Sequence, residues 1–159
     1  MMTTLKQAAD EFLAQRRIAV AGVSRTDSGH GANVVYKGLR KAGYAVFPVN
    51  PNAEEVEGDP CFHDLKAIPG GVDAVVIGTA PQDSAGVVRD CAELSIQRVW
   101  LHRSFGGGSV SDEAADLGRQ NGITVIAGAC PMMFLPGTDI GHRCMRWLLG
   151  LTGGLPKEA

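Results

Sequence analysis

The sequence predicts an α/β fold: a doubly wound, mostly parallel five-stranded sheet with helices on both faces. Three observations predict it. Short apolar, β-branched runs recur along the chain, amphipathic helical segments alternate with them, and glycine-bearing or polar turns separate the two. Runs that are apolar without a polar alternation suit strands buried on both faces, as in a parallel sheet covered by helices.

The elements follow in order. From Thr4 through Gln15, the residues Leu5, Ala8, Ala9, Phe12 and Leu13 share one helical face, and Thr4 with Gln7 has capping-box spacing. Arg17 to Val23 is apolar, too short for a helix and followed by polar and glycine residues through Gly31, so it reads as the first buried strand. A helix over Val34 to Ala42 comes next, then strands Ala45 to Val49 and Ala74 to Ile77. A helix over Ser84 to Leu94, a strand Arg98 to Leu101, a helix over Ser111 to Gln120, a strand Ile123 to Ala127 and a helix over Ile140 to Leu149 complete the alternation. No internal repeat or linker interrupts it. Residues 1–159 are therefore expected to form a single Rossmann-like domain, with the N-terminal helix in 1–16 and a fraying tail at 152–159.

Composition narrows the function. With 45% hydrophobic and 20% charged residues, the 159-residue chain needs neither disulfide nor metal to build a core. A net charge of -2 without a run of Lys and Arg gives no pull toward a nucleic-acid backbone or an anionic membrane surface. No apolar run approaches the roughly 18 to 20 residues that span a bilayer. Cys61, Cys91, Cys130 and Cys144 are far apart, without a Cys-x-x-Cys pair, and the first residues lack a signal core, so reduced thiols and a cytoplasmic location are expected. A small-molecule nucleotide ligand is the expected partner, with a protein partner or a homo-oligomer open.

In an open parallel sheet the ligand lies outside the carboxyl ends of the strands. The residues there are Gly22, Val23, Ser24 and Arg25 after the first strand, Asn50 and Pro51 after the second, and Gly78, Thr79, Ala80 and Pro81 after the third. Gly22 lets the backbone approach a phosphate, Ser24 offers a hydroxyl, and the next helix N-terminus offers amides to an anion. The same glycine also ends a strand for conformational reasons alone. Sheets that bind NAD carry Gly-x-Gly-x-x-Gly and a carboxylate at the end of the second strand. Here both are missing, and Val49-Asn50-Pro51 holds no charge that would repel a phosphate on the ribose.

The run Ile18-Ala19-Val20-Ala21-Gly22-Val23-Ser24, with Gly43-Tyr44 ahead of a strand ending Val49-Asn50-Pro51, resembles the small CoA-binding domain proteins. These are similar to the CoA-binding domain of the succinyl-CoA synthetase α subunit. The likeness extends from about Arg17 to Pro131 and takes in Trp100-Leu101 and Cys130-Pro131. It implies coenzyme A or an acyl-CoA as ligand, with Gly22, Val23, Ser24 and Arg25 along the pyrophosphate. It also implies Asn50 and Pro51 at the adenosine end and Thr79, Ala80 and Pro81 as the facing wall. Family members commonly have a lysine after the Asn-Pro and a glutamine after the Trp-Leu; this chain has Asn52 and His102. Arg25 is the candidate to replace that lysine at the 3′-phosphate, since a guanidinium is a bidentate phosphate donor.

Other residues invite chemistry. In the larger synthetases the phosphorylated histidine belongs to a separate domain, so His102 inherits no such role and is expected to bond or line the ligand. Cys130 has no base beside it in sequence. His142 and Cys144, two apart on a helix, point in different directions and do not share a metal with Cys130. Gly106-Gly107-Gly108 reads as a lid or plain loop before a serine-capped helix, and Met132, Met133, Phe134 and Leu135 as core packing or a subunit contact. With no nucleophile-base set and no Walker loop, the chain reads as a CoA-binding protein without autonomous catalysis. The alternatives are a subunit or fragment of an acyl-CoA ligase or transferase, and an NAD(H)-responsive binding domain.

Overall fold

The computed structural model describes residues 3–103, 108–137, 140–153, 155, 156 and 159. In chain order these form α1 (Leu5–Leu13), β1 (Arg17–Ala21), α2 (Gly31–Lys41), β2 (Ala45–Val49), β3 (Glu55–Val56), β4 (Asp59–Pro60), β5 (Ala74–Ile77), α3 (Pro81–Glu93), β6 (Arg98–Leu101), α4 (Asp112–Gln120), β7 (Thr124–Ala127) and α5 (Ile140–Thr152). Single 3-10 turns lie at Leu65–Ala67 and Pro131–Met133.

Five strands make one wholly parallel sheet in the order β2-β1-β5-β6-β7. Both faces are apolar because the strands carry apolar residues at odd and even positions alike. Ile18, Val20, Val76 and Trp100 point to one side, where they meet Phe12 of α1 and Val35, Tyr36 and Leu39 of α2. Ala19, Val75, Ile77 and Leu101 point to the other, against Ala85 and Val88 of α3 and Ala114 and Ala115 of α4. Trp100 is fully buried, edge-on to Phe12 at 5.3 Å, and its indole N–H donates to Gly128 O (2.8 Å).

The helix signals resolve into identifiable caps. Thr4 Oγ1 accepts from Gln7 N (3.2 Å), as the spacing predicts. Ser111 does the same for α4 through Ala114 N (3.3 Å). The expected boundaries shift by two residues or more in five places: α1 ends at Leu13, α5 runs on to Thr152, and the other three have a local cause. β1 stops at Ala21 rather than Val23 because Gly22 turns into the left-handed region at φ 86°. α2 starts at Gly31, three residues early, because His30 Nδ1 accepts from Ala32 N (3.3 Å) and acts as a cap that sequence pattern does not single out. α3 starts at Pro81, whose fixed φ suits the first helical position.

The antiparallel β3–β4 pair is not predicted, since two-residue strands show no period. Its turn places Glu57 and Gly58 at positive φ. Asp59 accepts from both Tyr36 Oη and Arg40 Nη1, which ties the hairpin to α2. Gly106 and Gly107 of the triple glycine lie outside the described residues. In the segment expected to fray, Leu155 and Ala159 lie against the core and Ala159 N donates to Thr3 O (3.1 Å).

Candidate functional site

The chain leaves β1 toward β2 on one side and later returns to β5 on the other. The carboxyl ends of β1 and β5 therefore form the topological switch point where a crevice opens.

Gly22 stands at its base. A Cβ there would lie 2.6 Å from Thr79 N and 2.7 Å from Gly78 C, so a side chain is excluded by the neighbouring loop as well as by the backbone angle. Gly78 is held in the same way: a Cβ would sit 2.6 Å from Ala32 Cβ of α2. The two glycines thus let the β1 loop, the β5 loop and the start of α2 converge.

The loop after β1 is clamped by a residue that sequence reasoning missed. Asn33, 1% exposed on α2, accepts from Ser24 N (2.6 Å) and donates to Ser24 O (2.8 Å) and Glu57 Oε1 (3.0 Å). A polar residue one turn before Tyr36, on the face that packs inward, was the available signal. Ser24 Oγ in turn accepts from Thr26 N (3.2 Å) and Asp27 N (3.0 Å). Val23 is fully buried, so it offers the crevice backbone only; its carbonyl accepts from Asn50 Nδ2 (2.8 Å).

Asn50 thereby spends its amide on the loop, while its Oδ1 accepts from Asn52 N (2.8 Å). Arg25, exposed, donates through Nη1 to Asn52 O (3.0 Å), bridging the ends of β1 and β2. Thr79 Oγ1 lies 3.1 Å from Ser84 Oγ, and Ser84 Oγ donates to Ser109 O (2.7 Å). Ala80 caps α3 without a side-chain acceptor, in contrast to Thr4, His30 and Ser111 on α1, α2 and α4. The first turn of α3 accordingly begins at the crevice without a side-chain bond from its cap.

Two cavities of about 410 Å³ each flank this point, and Thr79 lines both. One reaches between β2 and α3, past Gly22, Val49, Pro51, Leu65 and Val87, with the carboxylates of Asp64, Asp83 and Asp90 among its walls. The other lies over the start of α2, lined by His30, Gly31, Ala80, His102 and Ser109. His102 is 8% exposed, and a Cβ on Gly31 would lie 2.8 Å from its Cε1. Burial, aided by His30 and His142, holds its pKa down to about 4, so it is neutral at pH 7.

Cys130 stands apart: 1% exposed, in the core cluster with Met132 and Met133. The motif residues Gly43 and Tyr44 are structural, Gly43 ending α2 at φ 94° and Tyr44 Oη donating to Leu13 O (2.6 Å). No helix among the described residues is long and apolar enough to cross a membrane.

A model of the CoA-binding domain matches residues 16–136. The chain belongs to the CoA-binding domain family. It is 33% identical over 116 residues to an uncharacterised protein of Bacillus subtilis, covering 72% of this chain and 82% of that one. It is 30% identical over 128 residues to the α subunit of acetate–CoA ligase (ADP-forming) II of Pyrococcus furiosus, covering 76% of this chain and 28% of that subunit. A solved hypothetical protein from Pyrococcus horikoshii superimposes with a TM-score of 0.72 at 28% identity, over 80% of this chain and 87% of that one. The matched span of the CoA-binding domain contains every residue of the crevice described above.

Proposed function

We propose that this CoA-binding domain binds coenzyme A or an acyl-CoA across the carboxyl edge of the sheet and carries no catalysis of its own. The observation behind the reading is the pair of chemically unlike cavities that share Thr79, one of them also lined by Gly22, within the family-matched span. Asp64, Asp83 and Asp90 disfavour a phosphate in the cavity beside β2, whereas carboxylates accept from an adenine amine. The adenine ring belongs there, against Val49 and Pro51.

The pyrophosphate then falls over Gly22 and Ser24, at the N-terminus of α2 and within reach of Arg25. The pantetheine arm continues past Thr79, Ala80 and Pro81 toward His102, which as a neutral imidazole both donates and accepts hydrogen bonds. Burial of Cys130 supports the non-catalytic part of the reading, because a thiol nucleophile needs access and a lowered pKa.

Calorimetric titration with CoA, dephospho-CoA and NADH in one low-salt buffer tests it. Saturable binding that prefers CoA is expected; silence toward CoA with clear NADH binding would overturn the ligand. A second reading, a piece of an acyl-CoA ligase, draws on the likeness to the Pyrococcus furiosus ligase subunit, of which this chain spans 28%. CoA-thioester turnover that needs a second chain and disappears in His102→Ala would favour it.

A further inference from the structure

The surface that the crevice leaves unexplained is the outer face of α5. Ile140, Cys144, Trp147 and Leu151 are all exposed and follow one another at steps of four, three and four residues. That spacing lines a single narrow stripe, the seam by which one helix pairs with another. Met145 and Leu149, on the opposite side of the helix, face the core. The helix is therefore apolar on two sides, one of which is already covered by its own domain.

Ile140, Trp147 and Leu151 keep 76%, 68% and 68% of their surface in water. Together they expose on the order of 400 Å² of apolar surface, as large as the biggest patch that monomers ordinarily carry. That is about half of the roughly 800 Å² each partner contributes to a stable interface. The remainder is at hand, because cavities of about 600 and 430 Å³ both have Trp147 in their walls, the larger one also lined by Phe134 and Leu135. A protruding Trp and the hollows beside it occupy one face, which is what a self-complementary, two-fold contact requires.

Charge selects the direction of pairing. Arg143 flanks the stripe and lines both hollows, and Arg146, in the wall of the larger one, lies over the Phe134 ring at 4.5 Å. An antiparallel pairing sets Arg143 against uncharged residues of the other helix, whereas a parallel one sets it against its own copy. We infer that α5 is a dimerisation helix, packing antiparallel against α5 of a second copy of this chain about a two-fold axis near Trp147. This inference does not rest on the ligand, and its failure would leave the CoA reading untouched.

Sedimentation velocity at tens of micromolar tests it on the full chain, with an expected mass of twice 16.7 kDa. Trp147→Glu and Leu151→Glu each alter an exposed side chain; each is expected to weaken dimerisation at least 100-fold while leaving circular dichroism and CoA affinity unchanged. A short bis-maleimide gives a measurement on the unaltered protein. Cys144 is the exposed cysteine, the other three being buried, so dimer-length product that disappears in Cys144→Ser is expected. A wild-type chain that stays monomeric at 100 µM, or a dimer indifferent to Trp147→Glu and unlinked through Cys144, overturns the proposal.

Discussion

His102 shows how burial turns a titratable residue into a fixed hydrogen-bonding one. An unfolded histidine titrates near 6.5, whereas His102 in the folded chain titrates near 4. The unfolded state therefore binds the proton first. Stability from this residue is fully present above about pH 6.5 and is lost as pH falls toward 4, by roughly 3 kcal/mol in all. Urea unfolding at pH 7 and pH 4.5 is expected to show that loss, and His102→Gln to reduce it. An equal pH dependence in the two proteins would mean that other groups carry it. Arg25 belongs to the same scale. Replacing it with Ala is expected to weaken CoA about five- to tenfold and dephospho-CoA little, because a charge-assisted bond to the 3′-phosphate is lost. Equal losses for both ligands in calorimetry would remove that role from Arg25 and leave it the bridge from the loop after β1 to Asn52 O.

At the scale of elements, the crevice depends on three segments held together by buried polar bonds. Asn33→Ala strips partners from both Ser24 N and Ser24 O in a part-buried setting, with an expected cost of about 2–3 kcal/mol. Hydrogen exchange separates this from a general loss of stability: amides of residues 24–27 are expected to speed up well before those of β1 and β5. Gly22→Ala acts on the same junction by another route, forcing a side chain into a left-handed residue whose Cβ would meet the Thr79 backbone. The expected result is a destabilisation of about 2 kcal/mol or more together with loss of CoA binding, read by thermal melting and calorimetry on the same sample. A Gly22→Ala protein that melts and binds like the wild type would show that the β1 and β5 loops need not touch.

For the molecule as a whole, ligand binding is a stability measurement. A ligand at a hundred times its Kd stabilises the folded state by about 2.7 kcal/mol, which for a domain of this size raises Tm by roughly 5–10 °C. Saturating CoA is expected to give that rise, dephospho-CoA less and NADH none. The effect of CoA is expected to shrink as salt rises, since its phosphates lie at an exposed edge. Melting that ignores CoA at every concentration would contradict binding across the sheet edge, independent of the calorimetric heat.

The alternation of buried apolar runs with amphipathic helices was enough to read the five parallel strands, because doubly buried strands and half-buried helices impose different periods on sequence. β2, β5 and β6 match residue for residue, and in β5 the apolar run and the fully buried run coincide. The position of the crevice was legible too, because the carboxyl ends of strands follow from chain direction alone. What tertiary structure decided is which groups meet there. Asn33 clamps Ser24 from nine residues away, Gly22 is demanded by Thr79 in the loop after β5, far from it in the chain, and His102 becomes neutral under α2. The exposed stripe of α5 was hidden for a similar reason. Its apolar residues alternate between two faces, and only packing shows that one face is already covered. Periodicity is local and survives in the sequence, whereas partnership depends on contacts between distant segments and exists only once the chain is folded.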